Sequence, residues 1–196
     1  MPYSPEHKLK TRAKIVECAR VMFNRHGFVK VSIDDIMAEA GLTRGGFYNH
    51  FSSKEELYSE AISSFLFGVG KEWRDNAGVH ISSGGRAAVK AMVSAYLSSE
   101  HLTDIDRQCP MIALPSDVAR ASADAKKSYE TLLEAMAGLF KNNLDCESQD
   151  SEETALALSA LCVGGMVLAR TLDNKELGAK VTNASRNFAL RIANID

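Results

Sequence analysis

The stretch from Val31 to Lys54, VSIDDIMAEAGLTRGGFYNHFSSK, constrains the fold more than any other part of the chain. Ser32 is a good helix N-cap, and Ile33, Ile36, Met37 and Ala40 then fall at i, i+3, i+4 and i+7 on one helical face. Asp35, three residues after Ser32, is placed to close a capping box back onto the cap. Gly41 stands where this helix must stop, because glycine enters the left-handed conformation without steric cost. Thr43 then caps a second short helix over residues 44–51. Two short helices joined by a glycine-containing turn form a helix-turn-helix, and the second helix of such a pair can enter the major groove of DNA.

Charge is distributed accordingly. The net charge of −2 hides nine Lys/Arg against five Asp/Glu in residues 1–54, and fourteen against twenty in residues 55–196. A basic head on an acidic body suits a nucleic-acid-binding module joined to a part that avoids phosphate. Lys8, Lys10, Arg12 and Lys14 crowd the start of the first helix, where cations oppose the helix dipole, so contact with a phosphate backbone is the expected reason for them.

The run Gly41-Leu42-Thr43-Arg44-Gly45-Gly46-Phe47-Tyr48-Asn49-His50-Phe51, followed by Lys54-Glu55-Glu56-Leu57, resembles the signature of the TetR/AcrR family of bacterial transcriptional regulators. Thr11-Arg12, Ile15, Ala19, Phe23 and Gly27 are similar to that family's first helix, so the resemblance covers residues 11 to 62. It implies an all-α fold: an N-terminal three-helix DNA-binding domain over residues 1–52 and a C-terminal helical regulatory and dimerisation domain over 53–196. It also implies that Tyr48, His50 and Lys54 meet DNA phosphates. The residues themselves add Ser32 and Thr43 as phosphate donors at helix N-termini, with Arg44 as the base-reading side chain and Gly45 and Gly46 allowing close approach to the groove. Phe47 and Phe51 are assigned to the core behind the recognition helix.

Along the chain, residues 1–7 read as a polar, disordered arm and the first helix as Leu9 to His26, ending at Gly27. A helix opening at Ser52 or Ser53 is expected to run through Leu57, Ala61, Phe65 and Val69 toward Trp73 as one rigid rod shared by head and body. Asn76 to Gly85 is a glycine- and serine-rich connector, and Val89, Met92, Val93, Tyr96 and Leu97 mark the next helix. Prolines at 110 and 115 interrupt the segment from Leu102, after which Ser116 or Asp117 opens a long helix to about Asn142. Asp145 to Asp150 is a polar turn before two final helices, Glu152 to Leu172 and Lys175 to Ala193.

One chain offers those last helices too few partners. They are expected to meet their symmetry mates in a four-helix homodimer interface, with Leu161, Gly164, Gly165, Leu168, Val181 and Phe188 as candidate contacts. Two heads on a two-fold dimer read half-sites separated by ~34–36 Å or a multiple, so a palindromic operator on double-stranded DNA follows. The resemblance implies a small-molecule pocket in the body, for which Phe65, Met92, Tyr96, Met111, Met136 and Phe140 are candidate lining residues. Cys109, beside Arg107, is singled out as a thiol whose pKa that cation lowers, which makes a redox or electrophile response conceivable.

Cys18, Cys109, Cys146 and Cys162 show no CxxC or Cys/His pairing, and the N-terminus lacks the layout of a signal peptide, which leads to an expectation of reduced thiols and a cytoplasmic protein. The apolar run from Ala155 to Ala169 reads as a buried helix rather than a membrane span. The histidines His7, His26, His50, His80 and His101 have no i, i+4 metal partner, and neither a catalytic triad nor a phosphate loop is present, so no cofactor, metal or enzyme activity is expected. The reading is a ligand- or redox-responsive transcriptional repressor. A constitutive architectural DNA-binding protein is the alternative.

Overall fold

The computed structural model describes residues 4–79, 84–144 and 149–195, and among these every regular element is helical. Helix α1 spans Pro5–Lys30, with Ser4 as N-cap and Pro5 in the first turn, so the helix starts before the point expected from its apolar stripe. Gly27 (φ 77°, ψ 168°) breaks it near its end, as the glycine there suggests. Helix α2 (Ile33–Glu39) has the full capping box: Ser32 Oγ accepts from the Asp35 amide, and Asp35 accepts from the Ser32 amide at 3.0 Å. Gly41 turns the chain at φ 68°. The recognition element, Arg44–Asn49, is a 3-10 helix, and Thr43 sits at its N-cap position without a side-chain capping bond, which corrects the expected cap.

Helix α3 is Lys54–Phe67. Both candidate serines are used: Ser53 caps through the Glu56 amide, while the Glu56 carboxylate reaches back to the Ser52 amide and hydroxyl at 2.7 Å each. The expected single rod is broken. At Gly68 (ψ −117°) the chain turns into a separate helix α4, Val69–Asn76. Gly70 lets α4 lie directly on the preceding turn, because a Cβ there would stand 2.6 Å from both the Phe65 ring and its carbonyl. Helix α5 is Arg86–Tyr96, followed by the short helices α6 (Ser99–Thr103), α7 (Pro110–Ala113) and α8 (Pro115–Ala119), with a 3-10 turn at Ile105–Arg107. The expected long helix to Asn142 is two pieces, because Ser122 caps a fresh helix α9 at Ala123–Lys141. Helices α10 (Gln149–Thr171) and α11 (Lys175–Ile192) pack on each other and close the body. Part of the connector between α4 and α5, His80 and most of the Asp145–Asp150 turn with Cys146 lie outside the described residues.

One apolar core runs through head and body, from Ile15, Phe23, Ile36, Phe47 and Phe51 to Leu97, Phe140 and Leu158. Helix α3 serves both ends of it. Leu57 and Tyr58 pack with α1, where Tyr58 stacks edge-on to Phe23 at 5.0 Å, and Phe65 belongs to the body. A second, polar connection joins α1 to the body. Asn24, buried on α1, donates to the carbonyls of Ile105 and Gln108, and Arg170 of α10 donates to Gln108 Oε1 and, at 2.9 Å, to the Asn24 carbonyl. Arg20 bonds the Asp106 carbonyl, Arg25 chelates the Asp106 carboxylate, and Asp117 accepts from the Phe28 amide just past the Gly27 break.

Candidate nucleic-acid interface and effector cavity

The recognition element is held from behind by apolar packing and by one arginine. Phe47 and Phe51 are buried against α1 and α2, as assigned from the sequence. Arg12 lies 4.0 Å over the Phe51 ring, donates to the His50 carbonyl, and pairs with Glu56 and Glu60 of α3. This ties α1, the recognition element and α3 into one unit, a role the sequence pattern did not single out.

Thr43, Arg44, Gly45 and Tyr48 are exposed along the front of the element, and Tyr48 is 60% accessible with its ring edge-on to Phe47. A Cβ at Gly45 would meet nothing within 4 Å, so this position stays open for a groove wall. Arg44 is paired with Asp34 of α2 at 2.6 Å, an exposed bridge that costs little to break. The Ser32 hydroxyl donates to Asp35 at 2.6 Å, which helps hold that carboxyl below its ordinary pKa. His50 is half-buried, and burial, reinforced by Lys8 and Arg12, lowers its pKa, so it is a neutral imidazole at pH 7. The Lys54 ammonium donates to the Phe28 and Val31 carbonyls at 2.8 Å each and sits 4.1 Å over the Phe28 ring. An ammonium has a third N–H, which is what it retains for any outside acceptor.

The body encloses a cavity of about 600 Å³, a size ordinary for small-molecule sites. Phe65, Met92, Tyr96, Cys109, Met111 and Met136 line it, as the sequence reading expected. Phe140 does not: on the same helical stripe as Met136, it turns fully into the core. The sequence reading missed Trp73, Arg74 and His101. Trp73, Tyr96 and His101 pack ring against ring, at 4.8–6.0 Å between centroids. His101 is fixed as a neutral imidazole, since Nδ1–H donates to the Tyr96 carbonyl at 2.9 Å and Nε2 accepts from the Cys109 amide at 3.4 Å; burial lowers its pKa to match.

Cys109 departs from its expectation. Arg107 turns away to Glu72 and Asp104, and the thiol is 1% exposed, so burial pushes its pKa up to about 11. At pH 7 only about one molecule in ten thousand carries the thiolate. Alkylation of Cys109, located by mass spectrometry, is expected to rise about tenfold per pH unit from 7 to 9 without levelling off. A plateau near pH 8 contradicts the raised pKa.

The outer faces of α10 and α11 carry unpartnered apolar side chains: Leu156 and Leu168 on the first, Leu177 and Phe188 on the second, all exposed, with Leu161 and Val181 half-covered beside them. Gly164 points into open space, whereas Gly165 is buried inside the subunit, where a Cβ would stand 2.6 Å from Ser185 Oγ of α11. Gly165 is therefore an intrachain packing residue and not a contact on the free face, because adjacent helical positions point about 100° apart. By composition alone α10 is long and apolar enough to cross a bilayer (mean hydropathy 1.5 over its best window), though 39% of that window is buried within the protein. No cluster of metal-ligating side chains is found among the described residues.

The family model described as "Bacterial regulatory proteins, tetR family" matches residues 15–61, the segment that contains the recognition element. A Bacillus subtilis (strain 168) protein described as the uncharacterized HTH-type transcriptional regulator YfiR is 37% identical over 102 residues, which is 51% of this chain and 46% of that protein. The probable acrEF/envCD operon repressor of Escherichia coli (strain K12) is 42% identical over 52 residues, covering 26% of this chain and 24% of the repressor. The chain thus spans less than half the length of these relatives. The fold is matched over a greater length by the crystal structure of E. coli NemR in its reduced form, with a TM-score of 0.76 at 16% identity, covering 93% of this chain and 97% of that one. With the helix-turn-helix geometry, the matched profile and an all-helical body in hand, the chain belongs to the TetR/AcrR family of transcriptional regulators.

Proposed function

We propose that this protein is a repressor that binds a palindromic operator as a homodimer and leaves it when a small molecule fills the body cavity. The observation that carries the reading is a pairing of surfaces: an exposed, arginine-bearing recognition element at one end, and an unpartnered apolar stripe on α10 and α11 at the other. Exposed apolar patches of this kind mark association surfaces, and association of two copies presents two recognition elements to one duplex. Residues 1–52 act as the DNA-binding unit and residues 53–196 as the regulatory and dimerising unit, with α3 starting against the first and ending in the second.

In this reading Arg44 leaves Asp34 to meet a base edge, most simply the O6 and N7 of guanine. Ser32, Thr43, Tyr48, His50 and Lys54 serve the phosphates, His50 as a neutral donor rather than a cation. Signal transfer uses two routes out of the cavity. One is α3, whose last turn borders the cavity and whose first turn holds the recognition element through Arg12. The other is the segment of His101, Gln108 and Cys109, bonded on one side to the cavity wall and on the other to Asn24 of α1. The buried thiol leaves the redox branch of the reading without support, whereas the enclosed cavity supports a reversible ligand.

Footprinting on the DNA upstream of the protein's own gene tests the whole, the expected result being a protected palindrome. Arg44→Ala is expected to relax base preference at one position per half-site by ~1–3 kcal/mol. Uniform weakening on every sequence contradicts base reading by Arg44.

A further inference from the structure

The cavity wall carries charge of one sign only. Among its described lining residues there is no aspartate or glutamate, and Arg74 is the one side chain with a fixed charge. His101, the other basic group, is held neutral by a donor bond from one ring nitrogen and an acceptor bond to the other. Arg74 is half-buried, and its described hydrogen bond is to a single carbonyl, that of Leu66 in the last turn of α3, at 2.8 Å. No described carboxylate lies within ion-pair distance of it; Asp75, next along α4, is exposed and pairs with Lys71. A guanidinium offers five N–H donors in a planar fork suited to a carboxylate. Here most of that fork is unused by the protein.

A second group independently asks for a polar partner. The Tyr96 hydroxyl is buried in the same wall without a hydrogen-bond partner among the described residues. A buried unsatisfied hydroxyl costs about 1–3 kcal/mol, so such groups in native proteins ordinarily meet something. The remaining wall is hydrocarbon and aromatic: Phe65, Met92, Met111, Leu132 and Met136 among others.

The geometry points to an amphiphilic monoanion as the effector: an apolar body of medium length in the methionine-lined part of the cavity, and one carboxylate on Arg74, with Tyr96 donating to its oxygen or to a neighbouring ligand oxygen. This rests on the reading of the cavity as the effector site. It also gives that reading a mechanism. The carboxylate competes with the Leu66 carbonyl for Arg74, and Leu66 ends the helix whose other end carries the recognition element. Binding thus exchanges a cap on α3 for a bond to the ligand, at the Gly68 break where α3 and α4 are free to change angle. A cationic effector is disfavoured, since the same aromatic ring cluster that would attract it stands beside an unpaired guanidinium.

The test uses full-length protein and three probes with the same ten-carbon chain, each below its micellar concentration: decanoate, decanol and decyltrimethylammonium, measured by calorimetric titration and thermal shift. Decanoate is expected to bind about tenfold or more tighter than either other probe. In Arg74→Met that preference is expected to vanish while decanol still binds, and in Arg74→Lys part of it is expected to remain; circular dichroism checks that both variants fold. Equal binding of decanol or of the cation to the wild type overturns the inference, as does a preference for decanoate that survives Arg74→Met. Those outcomes leave the cavity reading standing. Absence of binding by all three probes to folded protein removes the apolar-effector reading itself, and this inference with it.

Discussion

Replacing Leu168 and Phe188 together by glutamate is expected to turn the protein into monomers and to weaken operator binding by about a hundredfold or more. Leu168 is 57% exposed and Phe188 46% exposed on adjoining helices, so neither change disturbs the subunit's own packing. What it disturbs is the stripe that α10 and α11 present outward, where two carboxylates would have to lose water to let a second copy dock. One head alone makes few base contacts. The second head binds at high effective concentration once the first is seated, and this advantage disappears with the dimer. Sedimentation equilibrium and titration of a palindromic duplex check both halves. A variant that remains dimeric, or a monomer that binds as tightly as the wild type, rejects this assignment of the interface. Helicity and melting of the isolated subunit should change little.

The second large effect is expected at Gln108, which is fully buried between head and body. Its amide nitrogen donates to the carbonyls of His101 (3.1 Å) and Leu102 (3.3 Å), and its oxygen accepts from Arg170. Leucine fills much of the same space but leaves two carbonyls and one edge of a half-buried guanidinium unmatched. The expected loss is ~2–4 kcal/mol, which for a chain of this size lowers Tm by roughly 5–15 °C. The Gln108→Leu, Arg170→Met double variant should lose less than the sum of the single variants, because removing both partners removes the unmatched charge. Melting curves of the four proteins measure this coupling. Additive losses would show that the two side chains do not act together.

The parts of the fold that were legible in the sequence are those set by neighbouring residues. The Ser32–Asp35 box, the turn at Gly41 and the Ser53–Glu56 cap each depend on residues within three positions, and each forms. The reading failed where a periodic apolar pattern ran across a real break. Leu57, Ala61, Phe65, Val69 and Trp73 keep helical spacing through Gly68, yet the chain turns there because Gly70 must pass close to Phe65. The stripe from Tyr129 to Phe140 looked continuous with Asp117 for the same reason, although Ser122 opens a new helix. At the start of α1 the signal was present and under-weighted: Ser4 followed by Pro5 is a cap and a first-turn proline.

The candidate site was partly legible. Methionines and aromatics on helical stripes pointed to most of the cavity wall, but periodicity says which face is apolar and not what lies opposite, so Met136 and Phe140 were treated alike. The polar joint was illegible because its members, Asn24, Gln108 and Arg170, are separated by 62 residues or more. The one local hint was that Arg20 and Asn24 each follow directly after a buried stripe residue on α1, Ala19 and Phe23.

The bridge between Arg44 and Asp34 bears on how such a protein travels along a chromosome. While it slides over unrelated sequence, its one base-seeking arginine is parked on a carboxylate of its own neighbouring helix. Grip during the search then falls to the lysines at the start of α1, which hold any stretch of duplex about equally. Only where a guanine offers two acceptors in register does the arginine gain by changing partners. The molecule therefore pauses at its target without being slowed everywhere else.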